Sequence, residues 1–460
     1  MTKEEAKKLL HNPKTSYSRH KGIEKTAEDY CIGYKSFIND AKTERDAVRY
    51  AIDTATKNGF TPFSSKKAYK AGDKIYYNNR NKSIILAVAG VNAEAGANII
   101  ASHIDAPRID LKQRALYEDS GISFFKTHYY GGIKKYQWSA LPLALHGVII
   151  KKDGTPLDIC IGEDENDPVF YISDLMPHIG KDQFDRKLGE GILGEELNII
   201  NGSMPFEDDE DESVKLNILR ILNEKYDITE LDLINAELTA VPSQKTRDVG
   251  FDRSMIAAYA HDDRVCAYPS MTALFGLDKT PESTAVIILA DKEEIGSYGV
   301  TGLTSDVLRH FLMDICVSRS VSYTNFIRNS TCMSADVGGA YDPTFSSAYE
   351  AKNSAYLAKG VVVTKYTGSR GKGGSSDASA ELFGKITRCF DAAEVDWQTG
   401  EYGKVDQGGA GTVASEIAMM NIDVIDVGVP ILSMHSPVEL ASKVDIYTMH
   451  LASAAFFALK

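Results

Sequence analysis

The feature that most constrains the fold is the apolar run Ser283-Thr-Ala-Val-Ile-Ile-Leu-Ala290, which ends directly in Asp291-Lys-Glu-Glu294. A short run rich in β-branched side chains and bounded by turn formers reads as a strand buried on both faces. Such a strand belongs to a parallel sheet covered by helices, where ligands gather beyond the carboxyl ends of the strands. Adjacent glutamates at such an end signal chemistry, because charged side chains otherwise stay in solvent. Four more charged clusters share this setting: Ser102-His-Ile-Asp105, Ala260-His-Asp-Asp-Arg264, Ser334-Ala-Asp336 and Leu432-Ser-Met-His435. Each alone reads as a cap or a turn. Together they point to one site.

Helical periodicity from Tyr30 to Ala55 predicts a long amphipathic helix or a helix pair ending at Asn58-Gly59. Strands are predicted at Lys74 to Tyr77, Ser83 to Val88 and Asn98 to Ala101, the last of which delivers His103. From Phe251 onward, helical patterns (Val265 to Phe275, Val307 to Val317, Ala378 to Phe390, Val444 to Phe457) alternate with strands (Thr284 to Ala290, Gly360 to Thr364, Ile422 to Val427). This alternation predicts an α/β unit with a mainly parallel sheet flanked by helices. Between Leu111 and Val249 the style changes, and Leu143 to Lys151 and Leu157 to Ile161 flank a hairpin turn, Lys152-Asp-Gly-Thr-Pro156. Residues 111–249 therefore read as a β-rich insertion into a discontinuous unit of residues 1–110 and 250–460. A chain of 460 residues is long enough for both. The acidic stretch Phe206 to Ser213 reads as a solvated loop.

Composition narrows the function classes. With 51 basic and 64 acidic residues the net charge is -13, which argues against a broad nucleic-acid or anionic-membrane surface. The start, Met1-Thr-Lys-Glu-Glu-Ala-Lys-Lys8, has no apolar core of the signal-peptide type, and no apolar run is long enough to span a bilayer. A cytoplasmic location is expected. The 6 cysteines lie far apart without Cys-x-x-Cys, so buried free thiols are expected rather than disulfides or a cysteine zinc site. Gly368-Ser-Arg-Gly-Lys-Gly-Gly-Ser-Ser376 departs from a phosphate loop, since Gly373 stands where Ser or Thr is required. Arg370 and Lys372 in this loop are candidates for a substrate pocket. No Gly-x-Ser-x-Gly elbow supports a serine hydrolase.

The clusters supply the donor set of a dinuclear metal centre, which needs His, Asp and Glu ligands with positions left open for water and substrate. His103 and His435 each offer an imidazole, Asp262 a bridging carboxylate, and Glu294 and Asp336 a terminal carboxylate each. Glu293 is left free as a base, since adjacent residues at a strand end point differently. Asp105, two residues beyond His103, is positioned to accept the other imidazole N–H and orient the ring.

The ordered motifs Ala101-Ser-His-Ile-Asp-Ala-Pro107, His261-Asp-Asp-Arg264, Asp291-Lys-Glu-Glu-Ile-Gly296, Ser334-Ala-Asp336 and Ser433-Met-His-Ser436 resemble those of the aspartyl aminopeptidase and vacuolar aminopeptidase I family. Tyr130-Gly-Gly132, Asp174-Leu-Met-Pro-His178 and Gly409-Ala-Gly-Thr412 extend the match over almost the whole chain. The resemblance implies a zinc-dependent exopeptidase with two zinc ions per subunit, cobalt or manganese being acceptable substitutes, in which Glu293 activates a bridging water. It also implies a zinc-exopeptidase-like domain with an inserted dimerisation domain, assembled as a tetrahedral dodecamer acting on peptides with free N-termini. His178 would then reach the active site of a neighbouring subunit. The chain departs from the acid-selective members at Gly339, where they carry histidine, and at Asp263, where Asp-Asn is common. Broad acceptance of neutral N-terminal residues is therefore expected, with acidic ones left open. The other functions compatible with the residues are a dinuclear deacylase or dipeptidase and, from a different class, a non-catalytic scaffold; the free base Glu293 argues against the scaffold.

Overall fold

The structure, a computed structural model, describes residues 1–460 apart from 3, 4, 6–8, 11, 208–210 and 460. Most of the polar start and the centre of the acidic stretch, about which expectations were stated above, lie outside the described residues. On either side of the latter, Phe206, Glu207, Asp211 and Glu212 are exposed.

The expected helical region is a pair, Ile23–Asp40 and Glu44–Lys57, the second opened by a capping box in which Thr43 and Asp46 bond each other's main chain. Strands β1 (Thr61–Pro62), β2 (Lys74–Asn79), β3 (Ser83–Val88) and β4 (Ala97–His103) follow. Next come β5 (Arg108–Asp119), β6 (Ile122–Tyr130), β7 (Leu143–Ile150), β8 (Pro156–Ile161), β9 (Tyr171–Ile172), β10 (Ile199–Gly202) and β11 (Ala236–Pro242). The remainder are β12 (Arg247–Val249), β13 (Met255–Ala258), β14 (Thr284–Ala290), β15 (Thr331–Ser334), β16 (Gly338–Gly339), β17 (Val361–Thr364), β18 (Trp397–Thr399), β19 (Asp423–Gly428), β20 (Pro430–Leu432) and β21 (Glu439–Ser442).

They form three sheets. The central, nine-stranded sheet has the order β1-β2-β3-β14-β4-β15-β19-β17-β18. Its middle block, β14-β4-β15-β19, is parallel, but β2, β3 and β17 pair antiparallel with their neighbours β3, β14 and β19. The sheet is thus mixed, although five of its eight strand pairs, β1–β2 and β17–β18 among them, are parallel as expected. Periodicity reports burial and not strand direction, which explains the difference. Side chains alternate between two cores: Ile84, Leu86, Ile100, Ile287 and Leu289 face one side, and Ile85, Ala87, Ile99, Val286 and Ile288 the other. The helix pair, His261–Phe275 and Lys443–Phe457 cover the first face, while Val307–Ser318 covers the second. Burial on both faces is why β14 is apolar from Ala285 to Ala290, each large aliphatic side chain contributing about 1.5–3 kcal/mol.

A seven-stranded, antiparallel sheet, β8-β7-β11-β5-β6-β10-β9, takes all its strands from between Arg108 and Pro242 and includes the expected hairpin, β7–β8. A small five-stranded sheet, β12-β13-β21-β20-β16, lies beyond it in sequence. Four cysteines, Cys31, Cys266, Cys316 and Cys332, are buried and unpaired; Cys389 is half-buried, and Cys160 is exposed on β8, contrary to expectation. Alternation along β8 turns Cys160 to the outside between buried Ile159 and Ile161.

A buried ion network joins the helix pair to the seven-stranded sheet. On β7, His146 Nδ1 lies 3.1 Å from Asp46 Oδ2 and its Nε2 lies 3.0 Å from Glu163 Oε1, which also meets Lys42 Nζ at 3.0 Å. Burial lowers the affinity of His146 for a proton, but hydrogen bonds to Asp46, Cys160 and Glu163 outweigh it and push the imidazole up to about 11. The folded chain therefore holds a proton that the unfolded chain releases above about 6.5. The stabilisation is complete below that value and is lost as pH rises toward 11. The urea midpoint of the wild-type chain should exceed that of His146→Gln most near pH 6, and the gap should shrink steadily toward pH 10. A gap independent of pH contradicts this account of the junction.

Candidate metal centre

The register of the parallel block gathers the first of the candidate ligands. Ala290 of β14 pairs with His103 of β4, and Ala101 of β4 pairs with Ser334 of β15, so these strands end side by side. His103 thus stands beside the turn carrying Glu293 and Glu294, and beside Asp336. The main chain of Asp336 passes so close to β19 that a Cβ on Gly428 would lie 1.6 Å from its carbonyl oxygen; only glycine fits. The five-stranded sheet supplies the remaining two: β13 leads into Asp262, and His435 lies in the connection from β20 to β21. The Asp262–Asp263 peptide is cis.

Six predicted residues converge. Asp262 points one oxygen at each imidazole, Oδ1 at 3.1 Å from His103 Nε2 and Oδ2 at 3.3 Å from His435 Nε2. His103 Nε2 is also 3.8 Å from Asp336 Oδ1 and 4.0 Å from Glu293 Oε2, and His435 Nε2 is 3.5 Å from Glu294 Oε2. Both rings are oriented from behind by main-chain carbonyls. His103 Nδ1–H donates to the Asp105 carbonyl at 3.0 Å, and His435 Nδ1–H donates to that of Gly132 at 2.8 Å. In the neutral imidazole this fixes the tautomer and aims both Nε2 lone pairs at carboxylate oxygens. Neutral rings need a cation at these contacts; without one, a proton held on each Nε2 serves instead, in line with the raised proton affinity of both imidazoles.

The electrostatics agree. Burial, with the charges of Asp105 and Asp262 added and the two imidazoles opposing, pushes Glu293 up to about 7. Burial likewise raises Glu294 and Asp336 well above the carboxylate range. Asp262 is held low instead, because hydrogen bonds from both imidazoles overcome its burial, and His435 is pushed up to about 10 against burial by Asp262 and Glu294. Glu294 Oε1 is buried without a hydrogen-bond partner. Carboxylates packed this closely ionise together only when positive charge is supplied, so the donor set fits divalent ions.

Asp105 has a second task besides offering its carbonyl to His103. Its Oδ1 accepts the N–H of Glu293 at 3.1 Å, and its Oδ2 accepts the N–H of Glu294 at 3.2 Å and the hydroxyl of Tyr130 at 2.8 Å. Oδ1 stands 3.4 Å from His103 Nδ1, so the carbonyl is the nearer acceptor. In the Tyr130-Gly-Gly132 stretch, Gly131 adopts a φ of 77°, which favours glycine, and a Cβ on Gly132 would press on His435 Nδ1 at 3.2 Å.

Three predicted residues stand apart. His178 is exposed in the turn Pro177–Ile179, without a hydrogen bond or ion pair to the cluster. Lys372 lies over the Tyr366 ring at 3.8 Å and pairs with Asp377 at 3.3 Å, while the Arg370 side chain is exposed. Three others were missed from sequence. Buried Asp263 accepts from Ser102 Oγ at 2.6 Å and lies within ligand reach of His103 and Asp336. Tyr402 donates its hydroxyl to the Val337 carbonyl, its ring facing Gly339. Glu439, 1% exposed, accepts the N–H of Asp262 at 3.0 Å and that of His435 at 2.7 Å; burial pushes it up to about 8. Only the short spacing from His435 to Glu439 offered a signal for the last of these.

Comparison with known proteins bears on the same residues. A family model described as aminopeptidase I zinc metalloprotease (M18) matches residues 37–457. A probable M18 family aminopeptidase 1 of Clostridium acetobutylicum is 47% identical over 442 residues, 93% of this chain and 95% of that relative. The crystal structure of an M18 family aminopeptidase from Thermotoga maritima superposes with a TM-score of 0.94 at 38% identity, covering 98% of this chain and 100% of that one. A more distant structure, the S. cerevisiae mApe1 dodecamer, shares the fold with a TM-score of 0.75 at 20% identity, over 94% and 96% of the two chains.

Proposed function

The chain belongs to the M18 family of aminopeptidase I zinc metalloproteases and is a metal-dependent aminopeptidase; on that premise we propose that it holds two divalent ions, one among His103, Asp262 and Asp336 and the other among His435, Asp262 and Glu294. The observation that carries this reading is the Asp262 carboxylate, with one oxygen turned to each imidazole. Mixed nitrogen and carboxylate donors suit zinc and accept cobalt or manganese. When bound, the ions supply positive charge that polarises the scissile carbonyl and acidifies the attacking water. Glu293 takes the proton from that water and passes it to the departing amine. Asp105 holds this turn by both N–H groups and so fixes where Glu293 points. At the side-chain pocket, Gly339 beside Tyr402 offers no charged partner, in keeping with neutral N-terminal residues. Arg370 and Lys372 remain candidates for its outer wall.

Residues 111–249 are the oligomerisation unit in this proposal. Leu175, Met176, Ile179, Phe184 and Leu188 are exposed along the segment that carries His178, and such a run of bare apolar side chains marks a surface that associates. A homo-oligomer built from dimers, in the tetrahedral dodecameric form that the family resemblance implies, would cover this segment and bring His178 to a neighbour's centre. Six unpaired cysteines fit a reducing cytoplasm, and among the described residues no helix is long and apolar enough to cross a membrane.

Glu293→Gln should retain both ions by elemental analysis while kcat falls about 10²- to 10⁴-fold. Loss of an ion in Glu293→Gln, with both kept in Glu294→Gln, would exchange the two roles. For the assembly, mixing His178→Ala with Glu293→Gln subunits should restore part of the activity once subunit exchange is verified by mass. No recovery despite exchange contradicts action between subunits.

A further inference from the structure

We propose that Glu439 is a positioning residue that sets the spacing of the two ion positions by gripping Asp262 and His435 through their main chains. The inference rests on the metal-centre reading above. Glu439 opens β21 directly across from Ala258 of β13, the strand that leads to Asp262. It also closes the connection from β20 in which His435 lies. Its carboxylate is therefore the point where two separate segments bearing ligands meet.

Both segments are irregular there. Ala260 has φ of 62° just before the kinked start of the helix at Asp262, and His435 itself has φ of 64°. Neither the Asp262 N–H nor the His435 N–H is taken by a sheet or helix partner; each is taken by one oxygen of Glu439, at 3.0 and 2.7 Å. A buried N–H left without an acceptor is costly, so the chain needs an acceptor at this point. A single carboxylate satisfying both also locks the distance between the two segments. Glutamine keeps the size but turns one acceptor into a donor, so it can serve only one of the two N–H groups. Aspartate keeps both acceptors but is one methylene too short to hold the same position. Asp262 and His435 are both ligands of the ion beside Glu294, whereas only Asp262 also serves the ion beside His103. Loosening the grip should therefore weaken the first ion more than the second.

The test is zinc binding to the metal-stripped full chain, followed by competition with a chromophoric chelator, for the wild type, Glu439→Gln and Glu439→Asp. We expect two ions in the wild type. In Glu439→Gln one of them should weaken about 10- to 100-fold, the range usual for a group that orients a ligand, with the other changed less. Cobalt spectra should report an altered site, and the urea midpoint of metal-free Glu439→Gln should fall below that of the wild type because one buried N–H is left without an acceptor. If Glu439→Gln fails to fold, Glu439→Asp carries the same comparison. Two ions bound by the wild type and bound equally tightly by the folded variants would overturn the role of Glu439 alone. A wild type binding no second ion would overturn the metal-centre reading and this inference with it.

Discussion

The site hangs on one carboxylate shared by two imidazoles. Asp262 presents Oδ1 to His103 and Oδ2 to His435, and each ring has already given its Nδ1–H to a carbonyl behind it. Neither ring can turn away without breaking that bond. Each Nε2 is thus held against a carboxylate oxygen in a largely buried space, where either a proton on the ring or a divalent ion must lie between the two. A divalent ion at each ring would take the place of that proton.

The rest of the fold serves to make that arrangement rigid. Parallel pairing of β14, β4 and β15 brings the strand ends into line, with dense apolar cores on both faces that leave the sheet no freedom to slide. The five-stranded sheet brings Asp262 and His435 from a different direction, and Glu439 ties them together. Gly428 stands where main chain approaches too closely for a side chain, Gly131 adopts a φ of 77°, and a Cβ on Gly132 would press on His435. Asp105 connects the two halves of the catalytic edge, offering its carbonyl to His103 and its carboxylate to the glutamate turn.

Much of this was legible in the sequence because burial and charge conflict there. An apolar strand that ends in Glu293-Glu294, and histidines and aspartates at the ends of other strands, have no structural use that solvent would not serve better. The helices and strands around them announced themselves by periodicity, including the helix pair before Asn58 and the hairpin at Lys152 to Pro156. Strand direction did not, since an antiparallel β3 or β17 buried on both faces has the same pattern as a parallel one. Glu439 was hidden for a related reason: its partners are main-chain N–H groups, which leave no trace in residue type. The proposed reach of His178 to a neighbour leaves no trace within one chain, where it is an exposed turn residue.

The most direct measurement of the shared carboxylate is anomalous diffraction at the zinc edge from zinc-loaded crystals of Asp262→Ala beside the wild type. The account predicts two peaks in the wild type and a fall in occupancy at both in the variant, since Asp262 belongs to both positions. One peak lost and the other undiminished would mean that Asp262 serves a single ion, and the bridging arrangement would have to be abandoned.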